Sequence, residues 1–221
     1  MEYKYVKFRP WVGEKYHTVG IFGKKILVLG ESHYCKEDKN RNPACIALGH
    51  CSYDCMNEVC YSQTQDELEI ISNNYTGVRY QQSFMTTAKS VMGKELTNAE
   101  VCSFWKNVAF YNYMQHSQSG PTRPIEFLQY DYSEAFREVL ESLMPDYIIV
   151  WGNRLWKNFL PGWDGARSEI TLENGDKTPV WIYNIKGKEI RAIRVHHPCI
   201  GKGRQWHYWH QFYKEFLRLS E

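Results

Sequence analysis

Two short apolar runs that each close on a glycine constrain this chain most: Lys24-Lys25-Ile26-Leu27-Val28-Leu29-Gly30 and Asp146-Tyr147-Ile148-Ile149-Val150-Trp151-Gly152. Runs of this length and composition predict buried strands. A third, Val108-Ala109-Phe110-Tyr111-Asn112, closes the mixed stretch from Val101 to Met114. Val180 to Asn184 and Glu189 to Val195 are further strand candidates. Between them, Ser133 to Leu143 is apolar at helical spacing (Phe136, Val139, Leu140, Leu143), with Ser133 as N-cap and Pro145 as the stop. Arg154 to Phe159 predicts a short helix, and Gln205 to Leu219 a closing one, apolar at Phe212, Phe216 and Leu219. Gly162 to Thr178 is rich in Gly and Asp and reads as a loop or a hairpin. Strands alternating with helices predict an α/β fold on a parallel sheet. Such a fold carries its ligand site at the carboxyl ends of the strands. At 221 residues, with no repeat, low-complexity tract or linker, the chain fits one domain, 1–221, with a sizeable core.

The formal net charge is only +2, so no global basic field argues for nucleic acid. The distribution says more. From Lys186 to Arg204 six cations (Lys186, Lys188, Arg191, Arg194, Lys202, Arg204) stand against Glu189 alone, the local stripe that a phosphate-tracking surface needs. The 16 Tyr, 10 Phe and 8 Trp serve a core first, and can also stack on bases. Met1 to Pro10 is charged and lacks the apolar segment of a signal peptide, and no apolar run is long enough to span a membrane. The expectation is a cytoplasmic protein whose seven cysteines are reduced.

Three strand ends carry chemistry. In Gly30-Glu31-Ser32-His33-Tyr34, Glu31 is placed to act as a general base, the backbone amides to hold an anion and Tyr34 to wall a pocket. Asn112 offers an amide that donates and accepts at once, as the edge of a nucleobase requires. Val195-His196-His197-Pro198-Cys199-Ile200-Gly201-Lys202-Gly203-Arg204 packs imidazoles, glycines and cations into one loop; His197 can donate to developing negative charge, and Lys202 and Arg204 can contact phosphate. The plain alternatives are a solvated acid in a turn, a turn asparagine and a surface loop with two histidines.

The order of these pieces resembles the uracil-DNA glycosylase superfamily. The residues that carry the likeness are Leu27-Val28-Leu29-Gly30-Glu31-Ser32-His33-Tyr34, Ala109-Phe110-Tyr111-Asn112, Ile148-Ile149-Val150-Trp151-Gly152-Asn153 and His196-His197-Pro198-Cys199. The resemblance implies a three-layer α/β/α sandwich around a mostly parallel four-stranded sheet. It implies that Glu31 and His197 are catalytic, with Asn112 reading the base, Tyr34 closing the pocket and Phe84 stacking on the base. Ser32, His33, His196, Ile200, Lys202 and Arg204 would face DNA, Ile200 or a neighbour as the wedge that fills the vacated stack. This chain departs from the best-known branch at Ser32, where that branch has its catalytic Asp, at His33, which replaces a Pro, and at Cys199, which replaces a Ser.

The implied function is a monofunctional DNA glycosylase. It would flip out uracil or a modified pyrimidine, including a modified cytosine of foreign DNA, and hydrolyse its N-glycosidic bond. DNA is the implied partner, and the chemistry requires no cofactor. The missing Asp keeps open a non-catalytic binder of nucleic acid or nucleotides on the same fold. A third option is an unrelated α/β hydrolase using Cys199 beside His197, with no evident partner to orient the pair.

Cys45, Cys51, Cys55 and Cys60 fall within sixteen residues, in a polar segment, 35–80, that reads as an insertion. Thiolates so close can bind zinc or an iron–sulfur cluster. Their gaps of five, three and four residues include no Cys-x-x-Cys pair, so free thiols stand beside both metals.

Overall fold

The computed structural model describes residues 3–34, 61–118, 131–199 and 201–218. The strands are β1 (Trp11–Val12), β2 (Ile26–Gly30), β3 (His33–Tyr34), β4 (Ala109–Asn112), β5 (Ser117–Gln118), β6 (Tyr147–Trp151), β7 (Ala166–Thr171), β8 (Lys177–Ile185) and β9 (Lys188–Val195). The helices are α1 (Gln63–Asn73), α2 (Gln82–Met92), α3 (Asn98–Trp105), α4 (Ser133–Leu143), α5 (Asn153–Asn158) and α6 (Trp206–Leu217).

The chain is α/β, built on a mixed seven-stranded sheet in the order β1-β4-β2-β6-β9-β8-β7. The expected sheet of four parallel strands is therefore too small. β4, β2, β6 and β9 do run parallel. They are extended by β1 on one side and by β8 and β7 on the other, all antiparallel. The reason lies in the connections. Lys186 and Gly187, both at positive φ, close a tight turn from β8 into β9, and the Gly- and Asp-rich segment proves to be a hairpin built on β7.

Ile26, Leu27, Val28 and Leu29 are fully buried. Each such side chain contributes about 1.5–3 kcal/mol by leaving water. Strand alternation sends them to opposite faces. Ile26 and Val28 join Phe110, Ile149 and Ile193 in one core, closed over by Leu68 and Ile71 of α1, Phe84, Ala88 and Val91 of α2, and Phe212 and Phe216 of α6. Leu27 and Leu29 join Tyr111, Ile148, Val150 and Ala192 in the second, covered by Phe136, Val139 and Leu140 of α4 and Leu155 of α5. The part of the 35–80 segment that is described thus includes a helix of the core. Cys45, Cys51, Cys55 and Cys60 lie outside the described residues. None of the described helices is long and apolar enough to cross a membrane.

Candidate active site

Because β4, β2, β6 and β9 are parallel, their carboxyl ends share one edge of the sheet. Gly30 pairs directly with Asn112. The ladder continues past the strands: Tyr113 N–H donates to the Gly30 carbonyl and Met114 N–H to that of Glu31, both at 2.9 Å. This fixes the Glu31 loop against the end of β4. Gly152, at φ 97°, turns the chain off β6 into α5 in a conformation that side chains resist, and its N–H donates to the Val195 carbonyl at 2.9 Å. That bond ties the end of β6 to the start of the His196-His197 loop.

Glu31 is buried, with 7% exposure. Its Oε1 lies 3.4 Å from Arg154 Nε and accepts from the Ser32 hydroxyl at 3.5 Å. The same hydroxyl contacts Met114 Sδ at 3.4 Å. Arg154 is a site residue that sequence reasoning missed; its signal was a cation two residues beyond the strand-ending Gly152, at the start of a helix.

Asn112 is half-buried, and its amide packs against Gly30. A side chain at position 30 would collide with Asn112 Oδ1 and come within 3.0 Å of Phe110 Cζ. Gly30→Ala should therefore displace Asn112, cost about 1–3 kcal/mol of stability and lower any activity that depends on the Asn112 amide. Denaturant titration together with the activity assay checks both effects.

His33 differs from its expected place. At 4% exposure it is interior, stacked on Phe8 with centroids 4.1 Å apart, and is not on the surface where the resemblance would have it face DNA. Its Nδ1 lies 3.0 Å from the Thr64 hydroxyl and 3.5 Å from Asn112 Nδ2. An amide N–H can only donate, so the latter contact makes Nδ1 an acceptor and steers the Asn112 side chain. Gln115 secures the lid of this cluster by accepting from the N–H groups of Lys7 and Phe8 at 2.8 and 2.9 Å. Thr64 and Phe8 were also missed, and nothing local in the sequence marks them.

Burial lowers the His33 pKa from its usual 6.5 to about 3, so the folded protein keeps it neutral. Below pH 6.5 the unfolded chain takes up a proton that the folded one refuses, so stability falls as pH falls from there towards 3. Between pH 7 and 5 the loss attributable to His33 should be about 2 kcal/mol. Urea titrations of wild type and His33→Gln check this: the variant should lack that share of the slope.

His197 is half-buried and sits edge-on to Trp151, with centroids 5.7 Å apart. Cys199 turns back onto it: the Cys199 N–H donates to His197 Nδ1 at 3.4 Å, and Sγ lies 3.0 Å from the same nitrogen. The two side chains thus meet, and the backbone of Cys199 orients the ring. A backbone N–H cannot accept, so Nδ1 is the acceptor and the neutral ring carries its proton on Nε2.

Phe84 is 7% exposed and enclosed by Trp105, Phe110 and Trp151 at 5.0, 5.6 and 5.4 Å. It reaches His197 only through Trp151, as a core side chain of α2. Ser32 and His196 are half-buried, and Lys202 is exposed, its Nζ 5.5 Å over the Tyr208 ring. Burial first, then the Arg194 and Lys202 charges, push the His196 imidazole below its ordinary pKa. Ile200 and the side chains of Tyr34 and Arg204 lie outside the described residues. Among the described residues no group of three or more His, Cys, Asp or Glu side chains is placed to hold a metal ion.

No known protein family's model matches this chain, and no curated protein matches it either.

Proposed function

We propose that the protein is a DNA glycosylase that hydrolyses the N-glycosidic bond of uracil or a modified pyrimidine. The observation that carries the reading is that Glu31, Asn112 and the oriented His197 stand at the carboxyl ends of β2, β4 and β9, three of the four parallel strands, and so along one edge of the sheet, with β6 between β2 and β9. The two helix-covered faces of the sheet fit the three-layer sandwich that the resemblance implies.

Cleavage would run as follows. A base must leave the stack to be reached. The C1′–N bond breaks with its electron pair going to the base, which becomes anionic, while the sugar becomes an oxocarbenium ion. His197 Nε2–H donates to the base carbonyl where that charge develops. Glu31 stabilises the sugar cation, orients water towards C1′ and accepts its proton. Asn112, held by His33 and Gly30, reads the base edge. Lys202 and Arg204 contact phosphates. These residues complete the reaction without a cofactor.

A second reading is supported by the contact between Arg154 and Glu31. A buried carboxylate engaged by an arginine also suits a non-catalytic binder of nucleic acid or nucleotides. Oligonucleotides carrying uracil, hydroxymethylcytosine, glucosylated hydroxymethylcytosine or only normal bases, incubated with the protein and then treated with alkali, separate the two. A strand break at one modified base supports the glycosylase. Intact strands with every base, in protein that retards DNA on a gel, support the binder.

A further inference from the structure

On the face of the sheet covered by α4 and α5, a cavity of about 430 Å³ opens between α5 and the antiparallel wing. Its size is that of a small-molecule site. Its walls include Trp156 and Lys157 of α5, Arg167 of β7, Trp181 and Tyr183 of β8, and Arg194 of β9. Among the described residues, none that lines it is a carboxylate. Lys157, Arg167 and Arg194 have no ion-pair partner among the described residues. Glu169, two residues on from Arg167 and on the same face of β7, is occupied by Lys177 at 2.7 Å.

The aromatic side of the cavity is fixed. The Arg167 guanidinium lies 5.2 Å over the Trp181 ring, and the Tyr183 hydroxyl donates to the Pro161 carbonyl at 3.3 Å. Trp181 Nε1, packed against Gly165, and Arg194 Nε are buried with no hydrogen-bond partner among the described residues. Desolvation lowers the Arg194 pKa, the mark of a guanidinium withdrawn from water without a counter-charge. Three cations around one recess repel one another, and Arg194, the half-buried one, also carries unmet desolvation. An anion among them removes both costs, and guanidinium groups match phosphate in geometry. Indole and phenol rings beside the cations supply a stacking surface for a planar heterocycle.

We propose that this cavity binds a nucleotide, its phosphate held by Arg167, Arg194 and Lys157 and its base set against the Trp156 and Trp181 rings. The nucleotide is either free or part of a DNA strand that continues past the strand-end site. Arg154, which meets Glu31, and Lys157 lie one helical turn apart on α5, so the two sites adjoin. Nucleotide binding here stands whether or not the strand ends cleave a base.

Calorimetry with thymidine monophosphate, thymidine, inorganic phosphate and single-stranded oligothymidylate tests it on the wild type and on Lys157→Gln/Arg167→Gln. Both substituted residues are exposed, so the fold should survive, which a thermal melt verifies. Thymidine monophosphate or oligothymidylate should bind at least about tenfold tighter than thymidine and than phosphate, and the double variant should lose about tenfold or more. Loss seen with the mononucleotide identifies a free ligand, and loss seen only with the oligonucleotide identifies a strand. The proposal is overturned if neither nucleotide form binds, if thymidine or phosphate alone binds as tightly, or if the folded variant keeps wild-type affinity.

Discussion

Glu31→Gln protein should bind DNA as the wild type does and release base about 100- to 10,000-fold more slowly. Glutamine keeps the volume of the side chain and an oxygen for Arg154 and Ser32, so the pocket stays filled and those contacts persist in form. It loses the negative charge and the basicity that the proposed chemistry uses to face the sugar cation and to take a proton from water. Arg154 is 31% exposed, so water compensates much of its lost partner, and the fold should hold. Single-turnover rates and gel-shift affinities measured on the same preparation read the two halves of this expectation separately. An unchanged rate removes Glu31 from the chemistry.

His197→Ala should slow base release by about 100- to 1,000-fold, the usual cost of losing one hydrogen-bond donor aimed at developing negative charge. The effect belongs to the ring and not to the thiol beside it. The Cys199 backbone N–H orients Nδ1, and that donor survives any substitution at 199 except proline. Cys199→Ala should therefore stay close to the wild-type rate. If Cys199→Ala instead abolishes activity while His197→Ala does not affect DNA binding, the 3.0 Å contact between Sγ and Nδ1 belongs to a thiol nucleophile and the hydrolase reading returns.

The parallel centre of the sheet was legible because burial on both faces leaves a continuous apolar signal, as in Ile26–Leu29 and Tyr147–Trp151. Its antiparallel wing was not. β7 (Ala-Arg-Ser-Glu-Ile-Thr) is exposed at five of its six positions, so no apolar pattern set it apart from a loop. β1 is two residues long. The helices on the first face did have a signal: Phe84, Ala88 and Val91 recur at helical spacing in α2, and Thr97 with Glu100 forms the capping box that starts α3.

The candidate site divides in the same way. Glu31, Asn112 and His197 stood out as candidates because each ends or follows a strand. The partners that set their orientation arrive from elsewhere in the chain. Thr64 is 31 residues from His33, Phe8 is carried in on a segment held by Gln115, and Arg154 depends on the turn at Gly152. Such contacts exist only after the sheet has formed, and apart from the cation two residues beyond Gly152 local sequence carries no mark of them.

In the proposed chemistry Glu31 and His197 act on one base bound at the strand ends. Mass spectrometry of free base released from DNA, in a single turnover by wild type, Glu31→Gln and His197→Ala, tests it most directly. The expected result is one free base for each abasic site formed by the wild type, with both variants slowed at least about 100-fold while still binding DNA. Release at equal rates by all three proteins, or no free base from DNA that the wild type binds, would contradict it.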